Sequence, residues 1–115
     1  MNRQLVRING IHAEGRHGAN PGEKLEYQPF VVDLEVLVDV GDDSLGETAD
    51  YGMLAVVAKE TVEGTSFDLI ETLAGRIARE VFSFQRVVTV LARVHKPRAA
   101  ELLGVDDVSV EAEVR

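Results

Sequence analysis

The chain has 115 residues, enough for one domain with a modest core and too few for two. Twelve Lys and Arg against 20 Asp and Glu leave a net charge of −8, which argues against nucleic acid or an anionic membrane surface as the main partner. There is no cysteine, so disulfides, thiolate nucleophiles and cysteine-based zinc or iron–sulfur sites are excluded. Apolar runs such as Phe30–Val32 and Leu54–Ala58 are far too short to span a bilayer, and Met1–Leu5 has no apolar signal region. The expectation is one cytoplasmic domain over residues 1–115.

Leu5–Ile11 alternates loosely and reads as a first strand, followed by the glycine-rich patch Gly15-Arg16-His17-Gly18 and a turn at Asn20-Pro21-Gly22. From Phe30 to Val40, apolar residues at the even positions alternate with mixed residues at the odd ones. This period of two predicts a half-buried strand. Gly41–Gly46 is a polar loop, and Asp50 is placed to cap a helix from Tyr51 to Glu63 with Gly64 as its stop. A second helix is predicted from Leu69 to Phe82, with the broad apolar stripe Leu69, Ile70, Leu73, Ala74, Ile77, Ala78 and Val81, and with Asp68 and Glu71 at capping-box spacing. Val87–Val94 and Val108–Val114 read as further strands. The order strand, strand, helix, helix, strand, strand predicts an α+β fold: an antiparallel sheet with two helices on one face. Four strands leave two open edges, and pairing them between subunits would give a ring-forming homo-oligomer.

The usual catalytic patterns are missing from the sequence. His12, His17 and His95 form no metal-binding spacing, there is no phosphate-cradling glycine loop, and no serine sits in a nucleophile elbow. No metal or cofactor is expected. What remains is a set of polar residues at element ends. Glu23 follows a turn, Tyr51 starts a helix, Glu71 lies in the first turn of the next helix, and Lys96 precedes Pro97. Taken singly, each reads as a solvated side chain, and Glu71 as a carboxylate complementing the helix dipole.

Together they resemble something specific. The stretches Gly15-Arg16-His17-Gly18, Glu23, Gln28-Pro29-Phe30-Val31-Val32-Asp33-Leu34, Asp50-Tyr51-Gly52, Val62–Glu71 and His95-Lys96-Pro97 stand in the order and spacing of the dihydroneopterin aldolases. The resemblance implies the tunnelling fold, in which subunits join into a barrel of strands with helices outside. It also implies a tetrameric ring, usually stacked into an octamer, with pockets between subunits. It implies a small pterin substrate. Glu71 would accept hydrogen bonds from the amino-pyrimidinone edge, helped by the backbone near Ile70 and Tyr51. Lys96 would exchange protons through water, while Tyr51 and Glu23 would assist proton transfer and orient the hydroxylated side chain. The reaction implied is a metal-free retro-aldol cleavage of 7,8-dihydroneopterin, giving 6-hydroxymethyl-7,8-dihydropterin and glycolaldehyde in folate biosynthesis, with 2′-epimerisation as a companion activity.

Two departures from the family pattern stand out. Tyr27 occupies a position that is glycine in many members and is expected to alter pocket entry. After Lys96-Pro97 the chain continues as Arg98-Ala99-Ala100-Glu101-Leu102-Leu103, without the second proline-containing stretch. The alternatives are an epimerase acting on dihydroneopterin or its triphosphate, and a non-catalytic ring that binds pterin. A triphosphate would demand a basic pocket, which this acidic chain is not expected to offer.

Overall fold

A computed structural model describes residues 2–115. Strand β1 (Asn2–Gly15) pairs antiparallel with β2 (Gln28–Val40), from Asn2 opposite Val40 to Gly15 opposite Gln28. Helices α1 (Tyr51–Gly64) and α2 (Ile70–Phe82) follow, then β3 (Val87–His95), a short helix α3 (Pro97–Leu103) and β4 (Ser109–Val114). The sheet runs β1-β2-β3-β4 with every neighbour antiparallel, leaving β1 and β4 as open edges.

The alternation of β2 decides which face is buried. Phe30, Val32, Leu34, Val36 and Val38 are all fully buried. They pack with Leu54, Ala58 and Val62 of α1 and with Leu73, Ala74, Ile77, Ala78 and Val81 of α2. Each Val, Leu, Ile or Phe side chain among them contributes about 1.5–3 kcal/mol on leaving water. The odd residues, Val31, Asp33, Glu35, Leu37 and Asp39, are half-buried on the helix-free face. There Arg7 pairs with Glu35 at 2.8 Å, and Arg93 pairs with Glu111. The long β1–β2 ribbon stretches the molecule to 50 × 26 × 20 Å, with a radius of gyration of 14.9 Å. About 13 Å would be usual for this length.

Four details differ from the sequence reading. β1 extends beyond Leu5–Ile11 at both ends, to Asn2 and Gly15. A bulge between Ile8 and Ile11, with Gly10 at φ 78°, shifts the register and breaks the period-two pattern on which the reading rested. The box of Asp68 and Glu71 does not form. Leu69 is the N-cap of α2 without a side-chain cap, while the Asp68 carboxylate is drawn to Lys24 at 2.6 Å. Residues 97–103, assigned to no element by the sequence reading, form α3 with Pro97 in its first turn, where proline fits because no backbone donor is needed there. α3 buries only Ala100 and leaves Leu102 and Leu103 exposed, so no apolar stripe announces it. The Asp50 cap does form, accepting from the Gly52 N–H at 2.9 Å.

Candidate active site

The site is built where β1 ends, β2 begins and β3 ends. After Gly15 the chain turns across the C-terminal end of α1. A side chain at Gly15 would come within 2.8 Å of the Val62 carbonyl and of the His17 ring, so glycine permits the approach. His17 then enters the interior and is fully buried. Its Nδ1 accepts from the Phe67 N–H at 2.9 Å, so its Nε2–H donates to the Val62 carbonyl, also at 2.9 Å. Burial pushes the imidazole pKa below its usual value and the Lys96 charge adds to this, against the opposing pull of the Val62 carbonyl. The ring is therefore a neutral strut. The Gly18 N–H to Phe67 carbonyl bond (3.0 Å) and the Ser66 hydroxyl to Arg16 carbonyl bond (2.6 Å) complete the join between this loop and the α1–α2 connection.

On this support sits a charge pair. Glu23 opens a single 3-10 turn, Glu23–Leu25, and its Oε2 lies 2.8 Å from Lys96 Nζ. Their side chains are only 15% and 14% exposed. Gln28, fully buried at the start of β2, donates from Nε2 both to Glu23 Oε2 and to the His17 carbonyl, each at 3.0 Å. The Asn20 N–H donates to Glu23 Oε1 at 3.3 Å. Burial alone would raise the Glu23 pKa. The hydrogen bonds from Lys96, Gln28 and Asn20, together with the Lys96 charge, outweigh it and hold the carboxyl below its ordinary range. Gly18 passes so close to the Glu23 carboxylate that any Cβ there would overlap it. His17, Gln28 and Gly18 thus shape the site, although the sequence marked none of them for that role. His17 and Gly18 read as loop residues, and Gln28 as a residue ahead of the Phe30–Val40 strand.

The remaining site candidates are divided between two places. Glu71 is exposed in the first turn of α2, and Ile70 beside it is buried in the core. That helix end follows directly on the segment bonded to His17 and Gly18, and the Lys24–Asp68 pair ties it to the turn carrying Glu23. Glu71 therefore belongs to the same end of the molecule as Lys96 and Glu23. Tyr51 does not. It is 68% exposed and borders a cavity of about 560 Å³ with Gln4, Val40 and Asp42. Val40 ends β2, whereas His95 pairs with Val31 near its start. Nine residues of strand, roughly 30 Å at about 3.3 Å each, separate the two levels. Tyr27 is exposed, with the Arg16 guanidinium 5.2 Å from its ring centroid.

Fold and site together define an α+β protein in which one lysine–carboxylate pair is held at an open end of an antiparallel sheet. Comparison with known proteins gives the family. Residues 6–113 match the family model described as dihydroneopterin aldolase (FolB). The dihydroneopterin aldolase of Streptomyces coelicolor is 38% identical over 109 residues, which cover 91% of this chain and 92% of that protein. The dihydroneopterin aldolase of Streptococcus pyogenes serotype M18 is 40% identical over 82 residues, covering 68% of this chain and 69% of that one. Among solved structures, Escherichia coli dihydroneopterin aldolase in complex with neopterin shares the fold, with a TM-score of 0.84 at 22% identity over 97% of this chain and 99% of that one. The chain belongs to the dihydroneopterin aldolase family, lyases of folate biosynthesis.

Among the described residues no helix is long and apolar enough to cross a membrane.

Proposed function

We propose that the chain cleaves 7,8-dihydroneopterin in the cytoplasm, that residues 1–115 act as a single aldolase domain, and that Lys96, Glu23, Tyr51 and Glu71 carry the reaction. The observation that carries this reading is the 2.8 Å Lys96–Glu23 pair, largely withdrawn from water, in a chain of this family. The Glu71 carboxylate can accept two parallel hydrogen bonds from the amino-pyrimidinone edge of a pterin. Uncapped N–H groups of the first turn of α2, beside Ile70, offer donors to the ring carbonyl.

The chemistry then needs only proton handling. Lys96, as the neutral amine left when its ammonium gives a proton to solvent, takes the proton of the 2′-hydroxyl through a water molecule. The bond between the first and second side-chain carbons breaks, and its electron pair enters the ring imine. Glycolaldehyde leaves with the second carbon as its aldehyde. The enamine that remains takes a proton on the first carbon and becomes 6-hydroxymethyl-7,8-dihydropterin. The ring imine serves as the electron sink, so no Schiff base to Lys96 is required. Glu23 holds the Lys96 side chain in place.

Tyr51 can join this site only from another copy of the chain. Its position at the far end of the sheet, together with the open edges of β1 and β4, supports a ring in which edge strands pair between subunits. We propose a tetrameric ring, stacked into an octamer, with each site completed across an interface. An uncharged substrate is favoured over a triphosphate. Lys24 is paired with Asp68 at 2.6 Å, Lys96 with Glu23, and Arg98 lies 3.9 Å from Glu26, so the cations near the site are already matched by carboxylates.

The test is anaerobic incubation of the protein with 7,8-dihydroneopterin, and in parallel with its triphosphate, following products by chromatography. Hydroxymethyl-dihydropterin with equimolar glycolaldehyde from the first substrate is the expected result. Epimer without cleavage would move the chain to an epimerase. Pterin bound without turnover would make it a binding ring.

A further inference from the structure

Lys96 is flanked by a residue that the proposed reaction does not use. His95, the last residue of β3, lies on the helix-free face of the sheet, because successive strand residues point to opposite sides. Its Nε2 is 2.6 Å from Asp33 Oδ2, and its Nδ1 is 3.0 Å from each oxygen of Asp107. Carboxylates only accept, so this geometry favours a hydrogen on both ring nitrogens, the imidazolium form. Asp33 is anchored in turn, since its Oδ1 accepts the Gly10 N–H at 2.8 Å, at the bulge where that donor has left the β1–β2 ladder. One chain of contacts thus runs from the β1 bulge through β2 and β3 to the loop before β4.

The arginines Arg7 and Arg93 on this face are already paired with carboxylates. Arg7 pairs with Glu35, and Arg93 with Glu111 while standing 4.0 Å from Asp33. His12 lies opposite Val31 two strands away, and Glu101 and Asp106 border the same cavity as His95 and add negative charge. Asp33 and Asp107 are the two carboxylates in contact with the ring. Burial lowers the His95 pKa, but the hydrogen bonds and charges of these two carboxylates outweigh it, and the net shift is upward.

The bridge bears on Lys96 through the backbone. The Lys96 N–H donates to the Val108 carbonyl at 2.9 Å, one residue after Asp107, and the Lys96 carbonyl accepts from Ala100 at 3.2 Å as α3 begins. No side chain caps that turn. We propose that His95 is a positioning residue: by bridging Asp33 and Asp107 on one face, it fixes the backbone that delivers the Lys96 ammonium to Glu23 on the other.

The inference rests on the aldolase reading and is tested alongside it. His95→Gln, Asp107→Ala and Asp107→Glu are compared with the parent for kcat and KM on 7,8-dihydroneopterin, with sedimentation as a check on assembly. Histidine-selective 15N spectra of the intact oligomer read the ring's protonation at pH 7. His95→Gln and Asp107→Ala should lower kcat on the order of 10-fold to 100-fold, the cost of a small misplacement of a reacting group, with KM changed less than about two-fold. Asp107→Glu should recover most of the rate, and the parent ring should show both nitrogens protonated. If His95→Gln fails to assemble, the half-exposed Asp107 decides alone. Parent-like kcat in Asp107→Ala, or a neutral His95 at pH 7, would overturn the proposal while leaving the aldolase reading intact. A parent that turns over no dihydroneopterin would overturn both.

Discussion

The two ends of α1 are built differently. At its C-terminal end the chain is stitched tightly. Val62 receives the His17 ring, Thr65 bonds back to the Thr61 carbonyl, and the Gly15–Gly18 loop is locked to residues 62–67. At its N-terminal end Asp50 caps the helix, but Tyr51 points into solvent beside an open cavity, with Leu45 and Met53 also exposed. One end holds a charge pair largely withdrawn from water. The other presents an exposed phenol far from that pair. On the proposed reading, the difference means that a single copy carries halves of two sites, each completed across an interface between copies.

The strongest way to break this comparison is to separate the halves. Lys96→Ala should lower kcat by roughly 10²–10⁴-fold, the usual contribution of a positioned acid–base group. Tyr51→Phe should also lose activity. Mixing the two inactive proteins and allowing subunits to exchange should restore part of the parent rate, because some interfaces regain both residues. If mixed oligomers form but no activity returns, both residues serve one subunit's site.

A smaller effect is expected within the stitched end. In Gly18→Ala the new methyl overlaps the Glu23 carboxylate and must push it from Lys96. A loss in kcat of about 10-fold with the fold retained is expected, read by steady-state kinetics beside circular dichroism. Glu71→Gln should act on binding instead. It should raise KM by about 10-fold, the value of one charge-assisted hydrogen bond, with little change in kcat.

The smallest effects are on stability against pH, and His17 and His95 act with opposite sign. The His17 pKa is lowered in the fold, so its contribution is present above 6.5 and lost as pH falls through the folded value. The His95 pKa is raised, so its contribution is complete below 6.5 and lost as pH rises through a value above that. Urea midpoints at fixed protomer concentration should therefore fall on both sides. Asp107→Ala should flatten the alkaline side only; an unchanged alkaline side would show that the bridge adds no stability.

Much of this was legible in the residues. The alternation of Phe30–Val40 and the stripe of α2 defined the buried faces, because strand and helix periods are local properties of the chain. Capping by Asp50 was legible for the same reason, as it acts within two residues. The failures were equally physical. The Asp68–Glu71 spacing lost to a competing partner, Lys24, more than forty residues away. The second half of β1 was hidden by a bulge that no alternation survives, and α3 is too short to show a stripe.

Glu23, Tyr51, Glu71 and Lys96 could be singled out by residue type and order, and the sequence by itself determined the order of the four strands and two long helices, the core face and the family resemblance. Only the tertiary structure decided that Lys96 meets Glu23, that His17 and Gln28 stand beneath them, that His95 is clasped between two carboxylates, and that Tyr51 lies at the opposite end. Those relations span 5 to 73 positions of chain. They are set by register, by the crossing of a loop over a helix end and by burial, which local spacing does not encode.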